Sequence, residues 1–203
     1  MQMYKYLQQV VDAKVVAVIR ADSAERAIEL SNACIRGGMK SIELTFTTPQ
    51  AEQAIAQLAK KYPNLSIGAG TVLDQTTAKI AIQNGAQFIV SPAFDKDTAL
   101  LCNLYQIPYL PGCMTVSEMK DALTYGCSII KLFPGSIYGP QAIKQFKGPL
   151  PQLEIMPTGG VSEKNIKDWF DAGAIAVGAG GSLTTGTLDE VAEKAKQLVN
   201  AVQ

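Results

Sequence analysis

Eight short runs of apolar and β-branched residues punctuate the chain, at 15–20, 41–46, 66–71, 88–92, 108–112, 129–133, 153–158 and 174–178. At five or six residues each they suit strands buried on both faces and are too short for ordinary helices. Their starts fall 20 to 26 residues apart. Between them lie amphipathic stretches rich in Ala, Gln, Glu and Lys, at 24–36, 50–61, 76–84, 96–105, 117–125 and 163–172, which predict helices. Gly37-Gly38, Gly85, Gly126 and Gly173 mark where several of them stop, and Thr48-Pro49 and Ser162-Glu163 are N-cap candidates.

A strand–helix unit of about 23 residues, repeated, predicts a parallel sheet. Eight such units fit a closed (β/α)8 barrel of the TIM type near its lower size limit. Residues 3–12 then form an extra N-terminal helix and 188–202 a C-terminal one. The alternative is a doubly wound open sheet. That fold normally carries Gly-x-Gly-x-x-Gly after its first strand, whereas Arg20-Ala21-Asp22-Ser23 stands here. No linker or low-complexity stretch interrupts the pattern, so 1–203 reads as one domain.

Composition narrows the chemistry. Apolar residues make up 47% and charged residues 18%, with 18 basic against 18 acidic side chains scattered along the chain. Such a balance leaves no electrostatic footprint for nucleic acid or an anionic membrane. No apolar run approaches a membrane span and the N-terminus lacks a signal-peptide pattern, which together predict a cytoplasmic protein. The four cysteines, Cys34, Cys102, Cys113 and Cys127, have neither paired nor metal-ligand spacing and read as reduced core residues. Histidine is absent altogether. Its absence removes Ser-His-Asp triads, imidazole acid–base steps and nearly all catalytic zinc sites. Proton transfers fall to carboxylates, lysine, tyrosine, thiols or water, and no metal is expected.

In a barrel, chemistry sits where strands end. The predicted strand ends carry Arg20, Glu43 with Thr45 and Thr47, Thr71, Ser91-Pro92, Lys131 with Phe133, Thr158-Gly159-Gly160, and Gly178 to Ser182. Lys131 interrupts an otherwise fully apolar strand, Ile-Ile-Lys-Leu-Phe. Burying an ammonium costs several kcal/mol unless it is paired or gives up its proton, and an amine so treated is suited to imine chemistry with ketones. The alternative is a lysine whose stem lies on the core and whose head reaches water. Alternation in Ser-Ile-Glu-Leu-Thr-Phe puts Glu43 on the face opposite Ile42 and Leu44, hence inside a barrel, where it can meet Lys131. A structural ion pair and a nucleophilic amine beside a general base both satisfy that placement. The glycine-rich turns after strands seven and eight favour a bound phosphate, although helix punctuation also accounts for either alone.

Segments Val-Ile-Arg (18–20), Glu-Leu-Thr (43–45), Gly-Ala-Gly-Thr (68–71), Ser-Pro (91–92), Pro-Gly-Cys-Met-Thr (111–115), Lys-Leu-Phe-Pro (131–134), Gly-Pro-Gln (139–141) and Pro-Thr-Gly-Gly-Val (157–161) run through the chain in order. Together they resemble the 2-keto-3-deoxy-6-phosphogluconate / 4-hydroxy-2-oxoglutarate aldolases. The resemblance implies a homotrimeric barrel and a class I, metal-independent aldolase of the Entner–Doudoroff route, acting on a small 2-oxo acid and a phosphorylated aldehyde. It implies Lys131 as the Schiff-base lysine and Glu43 as general acid–base, with no cofactor beyond the imine. Thr71 would hold the pyruvate carboxylate, and Pro92 and Phe133 would line the pyruvyl pocket. Gly159, Gly160, Gly180, Gly181 and Ser182 would receive the phosphate. Two positions depart from the family pattern. Thr47 stands where many members have an arginine that helps hold the carboxylate, with Arg20 the suggested replacement. Gly181 stands where many have serine, with Ser182 one position later. Thr158 fits the gluconate type better than the galactonate type. A phosphosugar isomerase on the same barrel and a non-catalytic phosphometabolite-binding barrel are the rival readings.

Overall fold

The computed structural model describes residues 1–202. They form an α/β fold of parallel strands in a curled sheet surrounded by helices. The strands are β1 (Val15–Ile19), β2 (Ser41–Thr45), β3 (Ser66–Gly70), β4 (Ile89–Val90), β5 (Tyr109–Leu110), β6 (Gly112–Cys113), β7 (Ile129–Leu132), β8 (Glu154–Pro157) and β9 (Val177–Ala179). The longer helices are α1 (Gln2–Ala13), α2 (Ala24–Arg36), α3 (Ala51–Lys61), α4 (Gln75–Gln83), α5 (Lys96–Tyr105), α6 (Val116–Thr124) and α10 (Leu188–Asn200). Three short ones complete the set: α7 (Gly135–Tyr138), α8 (Ala142–Lys147) and α9 (Ile166–Asp171).

The sheet has two hydrogen-bonded sections, one in the order β5-β4-β3-β2-β1-β9 and one in the order β6-β7-β8. The stretch expected as one strand at 108–112 is split at Pro111 into β5 and β6, because proline has no N–H to donate. Pairing continues across the break. The Gly112 N–H donates to the Ser91 carbonyl at 2.9 Å, and the Lys131 N–H to the Pro111 carbonyl at 2.9 Å. At the other margin the Ile175 N–H donates to the Ile155 carbonyl at 3.0 Å, and Thr158 bridges to Gly178 in parallel.

Alternation sorts the side chains. Ile19, Ile42, Leu44, Ile67, Ile130 and Leu132 join the helices in one large core. Val16, Phe88, Val90, Leu110, Ile129 and Met156 form a second, inner cluster with Val10 of α1. Leu7 and Val11 pack against the same cluster, so the N-terminal helix covers that end of the inner core. Burial of this apolar surface, at about 25 cal/mol per Å², is what holds the strand ends in register.

Two capping expectations are corrected. The cap of α3 is Gln50 in the left-handed region (φ 56°), and the Thr48 hydroxyl instead accepts from the Ala21 N–H at 3.1 Å, tying the β1–α2 loop to the β2–α3 loop. Helix α9 begins at Ile166 after Asn165, because the Asn165 carboxamide oxygen accepts from the Ser162 N–H at 2.9 Å and holds 162–165 as a turn. The effective caps elsewhere are Ser23, Asp74, Asp95, Thr115 and Thr187, each accepting a backbone N–H of the first turn. Gly38, Gly85, Gly126 and Gly173 all adopt positive φ just past helix ends, as their positions suggest.

Candidate active site

Strand β7 fixes Lys131 between Ile130 and Leu132, which face the helices. Its side chain therefore points into the interior with that of Ile129, and the residue is only 4% exposed. Glu43, on β2, is fully buried on the same interior. Nζ of Lys131 lies 3.6 Å from Oε1 of Glu43. Among the described residues neither carboxylate oxygen of Glu43 accepts a hydrogen bond from the protein. A carboxylate placed purely for structure would be expected to collect such donors, because an unmet buried acceptor costs about 1–3 kcal/mol. Both oxygens are thus free for a substrate hydroxyl or a water. The Phe133 ring lies 5.0 Å from the Lys131 nitrogen and forms an apolar wall beside it.

Gly70 explains how Glu43 is held. The two residues sit on adjacent strands, and a Cβ at Gly70 would run into the Glu43 carboxylate. Gly70→Ala is expected to keep the fold at a cost of about 1–3 kcal/mol. Displacing the carboxylate should lower kcat by about 10²-fold. A Gly70→Ala protein with parental kcat and a normal thermal melt would show that Glu43 does not need this position.

Around the pair stand hydroxyl and glycine groups. Thr45 and Thr47 share a hydrogen bond of 2.9 Å between their hydroxyls, Thr45 buried and Thr47 exposed. Thr71, just past β3, adopts φ 55°. For a β-branched residue that conformation costs on the order of 1–3 kcal/mol, and such strain tends to gather at functional positions. Pro92 is half-buried after Ser91, whose hydroxyl meets the Tyr109 hydroxyl at 2.6 Å.

A cavity of about 390 Å³ is walled by Val18, Arg20, Phe133, Thr158, Gly159, Gly180, Gly181 and Thr184. A second, of about 300 Å³, shares Gly159, Gly180 and Gly181 with it and adds Gly160, Ser162 and Ser182. Thr158 is 5% exposed, and its buried hydroxyl has no protein partner among the described residues. It packs where Gly178 has no side chain. The structure thus brings Lys131, Glu43 and Phe133 together, and it joins Arg20, Thr158 and both glycine turns along one wall. Lys131, Glu43, Thr47, Thr71 and Pro92 line neither cavity; Phe133 is the residue that connects the amine with the first. Val18, Ser162 and Thr184 are wall residues that sequence reasoning did not name as such; their one signal was proximity to Arg20, Gly160 and Ser182 in the chain.

The description "KDPG and KHG aldolase" is that of a family whose pattern matches residues 7–198. This chain belongs to that aldolase family. The 2-dehydro-3-deoxy-phosphogluconate aldolase of Pseudomonas aeruginosa is 36% identical to it over 160 residues, 78% of this chain and 73% of that one. The KHG/KDPG aldolase of Escherichia coli K12 is 32% identical over 197 residues, 93% and 92% of the two chains. Among solved structures, the KDPG aldolase of Legionella pneumophila, with pyruvate captured at low pH as a covalent carbinolamine, superposes with a TM-score of 0.86. It is 28% identical, over 94% of this chain and 97% of that one.

The remaining proton carriers of this aldolase-family chain are restricted by burial. Desolvation pushes the thiols of Cys34, Cys102, Cys113 and Cys127 up to about 12, and it raises the Tyr109 phenol as well. None of these groups gives up its proton near neutral pH. Glu43 is the carboxylate next to the amine. Among the described residues no three Asp, Glu or Cys side chains gather as metal ligands, and no helix is long and apolar enough to cross a membrane.

Proposed function

We propose that this chain is a class I aldolase that reversibly cleaves 2-dehydro-3-deoxy-6-phosphogluconate to pyruvate and glyceraldehyde 3-phosphate. The observation that carries the reading is a buried primary amine 3.6 Å from a carboxylate that has no other protein partner. The neutral amine of Lys131 attacks the C2 ketone, and the carbinolamine loses water to give a protonated imine. Glu43, directly or through a water, takes the proton of the C4 hydroxyl. The electrons of the C3–C4 bond pass into the imine, which becomes an enamine while the aldehyde departs. The same carboxyl returns a proton to C3, and water releases pyruvate and the free amine. The imine is the electron sink, so the residues present need no metal or organic cofactor for it.

Thr71, Pro92 and Phe133 enclose the pyruvyl portion in this reading, with the Thr45–Thr47 hydroxyls beside Glu43. Gly159, Gly160, Gly180, Gly181 and Ser182 receive the phosphate through backbone N–H groups and a hydroxyl. Binding energy gathered there, far from the reacting carbons, stabilises the transition state. Cleavage of 4-hydroxy-2-oxoglutarate is the second activity, supported by the double name of the family.

Several features of the assembly belong to the same proposal. The two sheet sections close into one (β/α)8 barrel spanning a single domain, a reading supported by the hydrogen bonds at Pro111 and by the Thr158–Gly178 bridge. The family resemblance points to a cytoplasmic homotrimer, and the exposed Leu73, Ile80, Leu100 and Leu104 on or next to the adjoining α4 and α5 offer apolar surface for one.

Pyruvate release measured on both substrates tests the activity. Rapid release from the phosphorylated six-carbon acid is expected, with slower release from 4-hydroxy-2-oxoglutarate. Interconversion of phosphosugars without any pyruvate would replace the aldolase with the isomerase reading.

A further inference from the structure

We infer that Arg20 binds the phosphate end of the substrate and sets the preference for phosphorylated over unphosphorylated 2-oxo acids; it is not the cation of the pyruvyl carboxylate. This inference rests on the aldolase reading above. Arg20 leaves the end of β1, which is hydrogen-bonded on one side to β2 and on the other to β9. In the second pairing Ala17 is level with Ala179, so the chain beyond β1 emerges beside the Gly180 turn. The contact is close: Val18 stands against the position a Cβ of Gly180 would take.

The arginine shares its cavity wall with Thr158, Gly159, Gly180 and Gly181. Phe133 is common to the two ends: its ring is 5.0 Å from the Lys131 nitrogen, and it also lines the wall that holds Arg20. One aromatic ring thus borders both the amine and the cavity that holds the guanidinium. Among the described residues the Arg20 guanidinium makes no ion pair and no hydrogen bond, so no internal carboxylate competes for it. A planar fork of N–H donors fits two oxygens of a phosphate dianion, and the glycine N–H groups can meet the rest. Thr158, 5% exposed, is another polar side chain of that wall.

Steady-state kinetics of Arg20→Ala and Arg20→Lys on both substrates test the assignment. For Arg20→Ala, kcat/KM on the phosphorylated acid should fall about 10²-fold more than on 4-hydroxy-2-oxoglutarate, chiefly through KM. Arg20→Lys should recover part of that loss, because a single ammonium keeps the charge without the fork. Inorganic phosphate should compete with the phosphorylated substrate in the parent and lose at least tenfold in potency against Arg20→Ala. Equal losses on both substrates, together with less pyruvate trapped by borohydride, would assign Arg20 to the carboxylate and overturn the inference. Unchanged kinetics on both would overturn it too. A parent enzyme that releases no pyruvate from the phosphorylated acid would bring down the proposed function itself, and this inference with it, before any variant is compared.

Discussion

Lys131→Ala is expected to abolish aldol cleavage, with kcat/KM falling by on the order of 10⁴–10⁶-fold, as when other enzymes lose a covalent nucleophile. Incubation of the parent with pyruvate and borohydride should add one reduced adduct at Lys131, and the variant should gain none. Stability must be separated from chemistry, because truncating the lysine leaves Glu43 fully buried without its counter-charge. Breaking a buried pair in this way typically costs about 3–5 kcal/mol. Two companions resolve the difference. Lys131→Arg keeps a cation near Glu43 yet has no amine able to form the imine, so it should melt closer to the parent and still trap nothing. Lys131→Met combined with Glu43→Gln removes both charges, should regain much of the lost stability, and should be equally inert. Adduct formation at any other lysine, or turnover surviving in a folded Lys131→Arg protein, would remove Lys131 from the mechanism.

Legibility in the sequence followed the physics of each element. Buried parallel strands must be apolar on both faces, so Lys131 stood out against Ile129, Ile130 and Leu132, and period-two alternation put Glu43 inward without any structure. Their approach to 3.6 Å across the interior depends on a curled sheet that brings β2 and β7 face to face, which no local pattern of residues encodes. Helices α2 and α5 were legible to the residue because their apolar spacing is unbroken. Helices α7 and α8 were not, since they have four and six residues among Gly135, Gly139, Pro140 and Gly148 and show less than two turns of periodicity. The caps expected at Thr48 and Ser162 fail for different reasons: the Thr48 hydroxyl accepts from Ala21, 27 residues away, whereas the Ser162 N–H is taken locally by the Asn165 side chain. The cavity wall around Arg20 was legible only in part. Strand order in a β/α repeat makes first and last strands neighbours only if the sheet curls round, so Arg20 and Gly180 are remote in the chain and adjacent in space.

Glu43→Gln should separate imine formation from proton transfer. The carboxamide nearly matches the carboxylate in size and keeps an acceptor oxygen beside Gly70, so the fold and the position of the side chain should survive. Lys131 would keep its apolar wall at Phe133 and still condense with pyruvate, and borohydride trapping should remain clearly detectable. What an amide cannot do is accept the C4 hydroxyl proton and hand one back to C3. Loss of a positioned general base typically costs 10²–10⁴-fold, and kcat for cleavage should fall by about that factor. The half-reaction gives a sharper readout. In heavy water the parent should exchange the methyl protons of pyruvate for deuterium through the enamine, with no aldehyde present. Glu43→Gln should slow that exchange by the same factor while the trapped adduct persists. The thiols and the Tyr109 phenol, raised by burial, offer no substitute at neutral pH. Exchange at the parental rate in a folded Glu43→Gln protein would assign the proton transfers to water, leaving Glu43 only as the counter-charge of Lys131.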